Sequence, residues 1–121
     1  MSNHEIVHVE IAASDTKASG KFYGDLFGWK IVTDPTADYT MYQPESGPGG
    51  GFVKPDGEMY KADTVLIYVS TDDIETTLAK AESLGAKTLM PKTEIPQTGW
   101  FAIFADPTGN RIALFTSVPH Q

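Results

Sequence analysis

His8 and Glu10 are the residues of this chain whose types and spacing best suit proton chemistry. An unperturbed imidazole changes charge near pH ~6.5, and a carboxylate beside it favours the protonated ring. Residues two apart on a β-strand project from the same face, roughly 7 Å apart along it. His8 therefore reads as a general base, as a hydrogen-bonding group facing a ligand, or as a structural histidine. Glu10 reads as its acid–base partner, as a polar lining residue, or as half of an ion pair. His4 shares their parity near the chain start, and His120 stands in the tail. One imidazole and one carboxylate fall short of the roughly three protein ligands of a catalytic divalent site. No metal is expected unless a further donor joins them, and no other cofactor is expected. The chain has no cysteine, which excludes thiolate ligands, thiol nucleophiles and disulfides. Asp72-Asp73 opens a helix, where carboxylates favour the helix dipole, and is not a catalytic acid pair. No Ser/His/Asp triad can be assembled.

The elements that position these residues come in two similar sets. Asp15 and Asp72, Gly28 and Gly85, and Lys30 and Lys87 are each 57 residues apart. Such self-similarity marks a repeated architecture. In the first set, residues 4–13 alternate as a strand, with Val7, Val9 and Ile11 on one face and His8, Glu10 and Ala12 on the other. Asp15 is suited to cap the following helix, because its carboxylate accepts from the exposed amides of the first turn. That helix carries Ala18, Phe22, Tyr23, Leu26 and Phe27 at helical spacing, and Gly28 ends it. Residues 29–33 and 39–43 predict strands, separated by the breaker Asp34-Pro35. Gly47-Pro48-Gly49-Gly50-Gly51 predicts a loop whose glycines permit close approach of a backbone or a ligand. It is not a phosphate loop, because no Gly-Lys-Ser/Thr follows. Residues 54–61 predict the joint between a module at about 4–53 and another at about 62–117.

In the second set, residues 64–69 predict a buried strand. Asp72 with Glu75 predicts a capping box, and Ile74, Leu78, Ala81 and Leu84 form the helix's apolar stripe. Residues 87–90 predict a short strand stopped by Pro91. Residues 98–105 and 111–117 predict two strands joined through Asp106-Pro107-Thr108-Gly109-Asn110, a type I turn pattern. The sum is an α+β chain of two βαβββ modules.

Trp29, Phe22, Tyr23 and Phe27 are expected in the core, where helix meets sheet. Tyr39 and Phe52 are candidates for ligand contact. Alternation sets Trp100 and Phe104 on one strand face and Phe101 and Ile103 on the other; we assign Trp100 and Phe104 to the ligand side. With Ile112 and Leu114 in the core, Arg111 reaches toward the ligand, or else pairs with a surface carboxylate. Aromatics, one Arg and one His suit a small, apolar, partly anionic ligand.

Several of these residues together carry a family resemblance. His8 precedes Asp15 by seven, Phe22-Tyr23 and Leu26-Phe27-Gly28-Trp29 follow, and Asp72-Asp73-Ile74, Leu84-Gly85-Ala86 and Asp106–Asn110 recur in the second half. The pattern, over about residues 4–116, resembles the glyoxalase / bleomycin-resistance / extradiol-dioxygenase superfamily (vicinal oxygen chelate fold). The resemblance implies side-by-side modules, curved mixed sheets around a cleft, helices outside, and a homodimer. It implies four metal-ligand positions in the family's enzymes, which here hold His8, Val65, Ala113 and Gly50 or Gly51. Among these only His8 has a side-chain donor. The implied function is metal-independent binding of a small, partly apolar molecule. The alternative is a lyase or isomerase of the lactoylglutathione-lyase kind using His8 and Glu10, with a divalent metal. A third reading is a scaffold whose cleft is filled by its own side chains.

With 121 residues, 40% of them apolar and 21% charged, one soluble globular domain is expected. A net charge of −7, without a basic stripe, argues against nucleic acid and anionic membranes as partners. No leader pattern or membrane-length apolar run is visible, so a cytoplasmic setting is the expectation.

Overall fold

In a computed structural model, residues 4–35 and 39–118 are described. The elements run β1 (Ile6–Ala12), α1 (Thr16–Phe27), β2 (Lys30–Asp34), β3 (Tyr39–Gln43), β4 (Gly49–Val53), β5 (Val65–Ser70), α2 (Ile74–Ser83), β6 (Lys87–Ile95), β7 (Gly99–Ala105) and β8 (Arg111–Ser117). This is βαβββ twice, an α+β fold. His4 lies ahead of β1, and His120 lies outside the described residues. Two compact units are present: Val7–Ile67, and the segment up to Ile6 together with that from Tyr68 onward. Among the described residues no helix is long and apolar enough to cross a membrane.

In the Val7–Ile67 unit the strand order is β2-β3-β4-β1. β1 is parallel to β4, with Val9 opposite Gly50 and Glu10 opposite Gly51; β2–β3 and β3–β4 are antiparallel. The registers put Ile11, Ile31, Tyr42 and Phe52 on one face. There they pack with Ala13, Tyr23 and Trp29, on the side that α1 covers. Asp15 caps α1 by accepting from the Ala18 amide at 3.0 Å, and Gly28 ends it at φ 75°.

The helix meets the sheet differently from its apolar pattern. Phe22, Leu26 and Phe27 are exposed. Gly20 is buried instead, and a Cβ there would lie 3.0 Å from Ile31. Gly24, one turn on, would meet the same side chain at 3.2 Å. Two glycines at i, i+4 let the helix backbone rest on Ile31, which moves the contact away from Phe22 and Phe27. Tyr23 and Trp29 do stack, at 5.5 Å between ring centroids.

In the other unit the order is β5-β8-β7-β6, and α2 packs on β6, β7 and β8. The cap of α2 is Asp73, not Asp72: its carboxylate accepts from the Thr76 amide at 3.0 Å. Thr71 explains the offset, because its hydroxyl accepts from the Asp73 amide and bonds Thr77, fixing the turn one residue later. Glu75 then falls at the second helical position, and no capping box forms. β6 also runs straight through Pro91. The ladder to β7 shifts register on both sides of Met90; on an edge strand a bulge removes the need for proline's missing N–H.

Candidate functional site

The face of β1–β4 opposite α1 carries the charged and imidazole side chains of these four strands. By register, His8, Glu10, Lys30, Val32, Asp34, Tyr39, Met41 and Gln43 share it. The sequence parity of His8 and Glu10 is thus the structural one. They are joined by Tyr39, whose hydroxyl donates to Glu10 Oε2 at 2.7 Å and lies 2.9 Å from His8 Nε2. Since the phenol proton goes to Glu10, the phenol oxygen accepts from His8, which puts the imidazole proton on Nε2. His8 Nε2 and Glu10 Oε2 are 3.9 Å apart, with Glu10 buried.

This chain of contacts depends on the glycines of β4. The run predicted as a loop becomes strand from Gly49, and Gly50 and Gly51 are buried. A Cβ on Gly51 would collide with the Tyr39 hydroxyl. A Cβ on Gly50 would collide with the Val9 carbonyl and lie 2.6 Å from the Tyr42 hydroxyl. The two phenols of β3 thus pass over β4 on opposite faces, one at each glycine. Tyr39 reaches Glu10 and His8; Tyr42 donates to the Val9 carbonyl at 2.8 Å. The glycines do serve close approach, but of the chain's own rings.

Charge follows from burial. His8 titrates below the usual 6.5 because loss of water disfavours the imidazolium, and Glu10 only partly offsets this. The expected upward push from Glu10 is present but is outweighed. Tyr39 is raised well above the usual phenol range by burial, then by the Glu10 charge and its hydrogen bond. Tyr42 is pushed up to about 12 by burial and the Glu10 charge. At neutral pH the imidazole and both phenols are therefore uncharged.

Beside this network is an open hollow of about 340 Å³, lined by Val7, Val32 and Met41, by His8, Lys30 and Gln43, and by Tyr42, Gly49 and Gly50. Period-two alternation from Tyr39 through Met41 to Gln43 was the available signal for its β3 wall. The β2 wall needed the β2–β3 register as well.

The other expected ligand contacts divide. Phe52 is core on the α1 side, not a ligand contact, since it pairs in register with Thr40 and stacks on Tyr23. Trp100 and Phe104 pack with Ile74, Leu78, Ala102 and Leu114, on the α2 side of their sheet. Their assignment to the ligand side is corrected: in register they oppose Thr116 and Ile112, on the face that holds Leu114. Arg111 pairs with Ala105 and shares the other face with Phe101, Ile103, Ala113 and Phe115.

Comparison with known proteins fits this architecture. Residues 5–114 match the Glyoxalase/Bleomycin resistance protein/Dioxygenase superfamily. The chain belongs to that superfamily. A glyoxylase-like domain-containing protein of Didymella fabae is 28% identical over 119 residues, covering 93% of each chain. The anthracycline biosynthesis protein DnrV of Streptomyces peucetius is 25% identical, covering 88% of this chain but 44% of that protein. The chain thus spans nearly the whole of the first relative and less than half of the second. The Mn(II)-bound glyoxalase of Novosphingobium aromaticivorans superposes with a TM-score of 0.69 at 19% identity, over 95% of this chain and 39% of that one. That likeness concerns the fold.

One structural neighbour, the Novosphingobium aromaticivorans glyoxalase, is Mn(II)-bound. Among the described residues, no group of three His, Cys, Asp or Glu could hold a metal ion. His8 and Glu10 are the paired donors, and the Tyr39 hydroxyl sits within hydrogen-bonding distance of both. A protonated phenol stands where a shared cation would have to stand, so this donor set does not fit a metal.

Proposed function

We propose that this member of the glyoxalase superfamily binds a small, partly apolar molecule in the hollow on the open face of β1–β4, without a metal ion. The observation that carries the reading is the hollow itself. Val32 and Met41 give it apolar walls, and Val32 is more exposed than a finished core would leave it. Its volume falls at the low end of small-molecule sites, about 300–1,000 Å³. The test has two arms: metal content of protein purified without chelator, and thermal unfolding against a panel of small aromatic and amphipathic compounds. A substoichiometric metal content with a ligand-dependent rise in Tm supports the reading. A stoichiometric divalent ion, or no compound that shifts Tm, overturns it.

A second reading is favoured by the His8–Tyr39–Glu10 connection: a lyase- or isomerase-type enzyme of the glyoxalase kind. A neutral imidazole and a carboxylate, coupled through one phenol, are suited to take a proton from carbon beside a carbonyl and return it to the neighbouring atom. Deuterium incorporation at such a carbon, lost in His8→Gln, would establish this reading over simple binding.

A further inference from the structure

The hollow carries one fixed positive charge, and its placement deepens the binding reading, on which this inference rests. Lys30 lies on β2, two residues from Val32 and opposite Gln43. Among the described residues no carboxylate forms an ion pair with Lys30. Several of the other polar groups of the lining are engaged within the chain. Gln43 Nε2 donates to the Pro44 carbonyl at 3.2 Å. His8 is tied to Tyr39. The one cation of the lining besides the imidazole is the Lys30 ammonium, beside the apolar side chains of Val32 and Met41.

We propose that the hollow takes a small apolar molecule bearing a single anionic group at one end, with the Lys30 ammonium on the anion and Val32 and Met41 against the body. The chain's net charge of −7 repels anions at long range, but solvent ions screen that beyond about 8–10 Å. A local ammonium against a desolvated wall acts inside that distance. The same contact discriminates: a neutral analogue keeps the wall and loses only the charge.

The experiment is a fluorescence titration with 8-anilinonaphthalene-1-sulfonate and with N-phenyl-1-naphthylamine, the same ring system without the sulfonate. Wild-type protein is expected to bind both. Lys30→Met should weaken the sulfonate about threefold to tenfold, as for a partly exposed charged contact, and leave the neutral probe within about twofold. Lys30→Glu should weaken the sulfonate further, and Val32→Glu should weaken both probes. Equal affinities of wild type and Lys30→Met for the sulfonate, or an equal loss of both probes in that variant, would overturn the anion contact while leaving the hollow as a binding site. Undisturbed binding in Val32→Glu would place the probes elsewhere and overturn it too. If wild type binds neither probe, the hollow reading falls and takes the anion contact with it.

Discussion

At the scale of single residues, the Tyr39 hydroxyl decides how the site behaves. Tyr39→Phe leaves the buried Glu10 carboxylate without its 2.7 Å donor. A loss of about 1–3 kcal/mol in unfolding free energy is expected, as for a buried acceptor that loses a hydrogen-bond donor, and urea denaturation measures it. Gly51→Ala should cause a similar loss by driving the ring from its place. His8 offers a pH test. Its folded pKa lies below the unfolded 6.5, so folding favours the neutral ring. That contribution to stability is complete above pH 6.5 and is lost as pH falls through the folded value. NMR titration of the ring should find its midpoint under 6.5, and Glu10→Gln should lower it further by removing the charge that holds it up. The pairing of His8 with Glu10 was legible because strand parity is a local property. The part played by Tyr39 was not, because it joins residues 29 and 31 positions away. Phe52, Trp100 and Phe104 were misassigned for a related reason. Alternation separates two faces but does not say which one a helix will cover.

At the scale of elements, short-range chemistry was the most readable. Asp15, Gly28 and the Asp106 turn all do what their types suggest, and Asp106 Oδ1 accepts from the Thr108, Gly109 and Asn110 amides. Asp15→Ala should cost about 1 kcal/mol of stability through loss of the cap, measured by thermal or urea unfolding. Asp73 and Asp106 are held below 3.8 by the amides they accept from. Their contribution is therefore present above pH 3.8 and fades as pH drops through the folded values. The misses were tertiary. A glycine pair brought α1 down on Ile31 and left Phe22 outside. A bulged edge carried β6 past Pro91. Ladder pairing to β1 and β3 drew three glycines into a strand that composition alone describes as a loop.

At the scale of the whole molecule, the 57-residue repeat gave the architecture, and the superfamily match over residues 5–114 agrees with it. Binding should appear as stability. A ligand that occupies only the folded chain, present at a hundred times its Kd, raises the unfolding free energy by about 2.7 kcal/mol. Calorimetry at increasing concentrations of a compound found in the thermal panel would show Tm rising with the logarithm of concentration; a flat response would mean no coupling to the fold. The crossing at Gly51 has an evolutionary corollary. A ring at position 39 and a side chain at position 51 claim the same volume, so a descendant can carry either but not both. Gaining a new donor on that strand requires surrendering the phenol first, and the intermediate ancestor would carry a void where the ring had been. The two positions should therefore mutate as a pair, and lineages should be found on one side of that gap or the other.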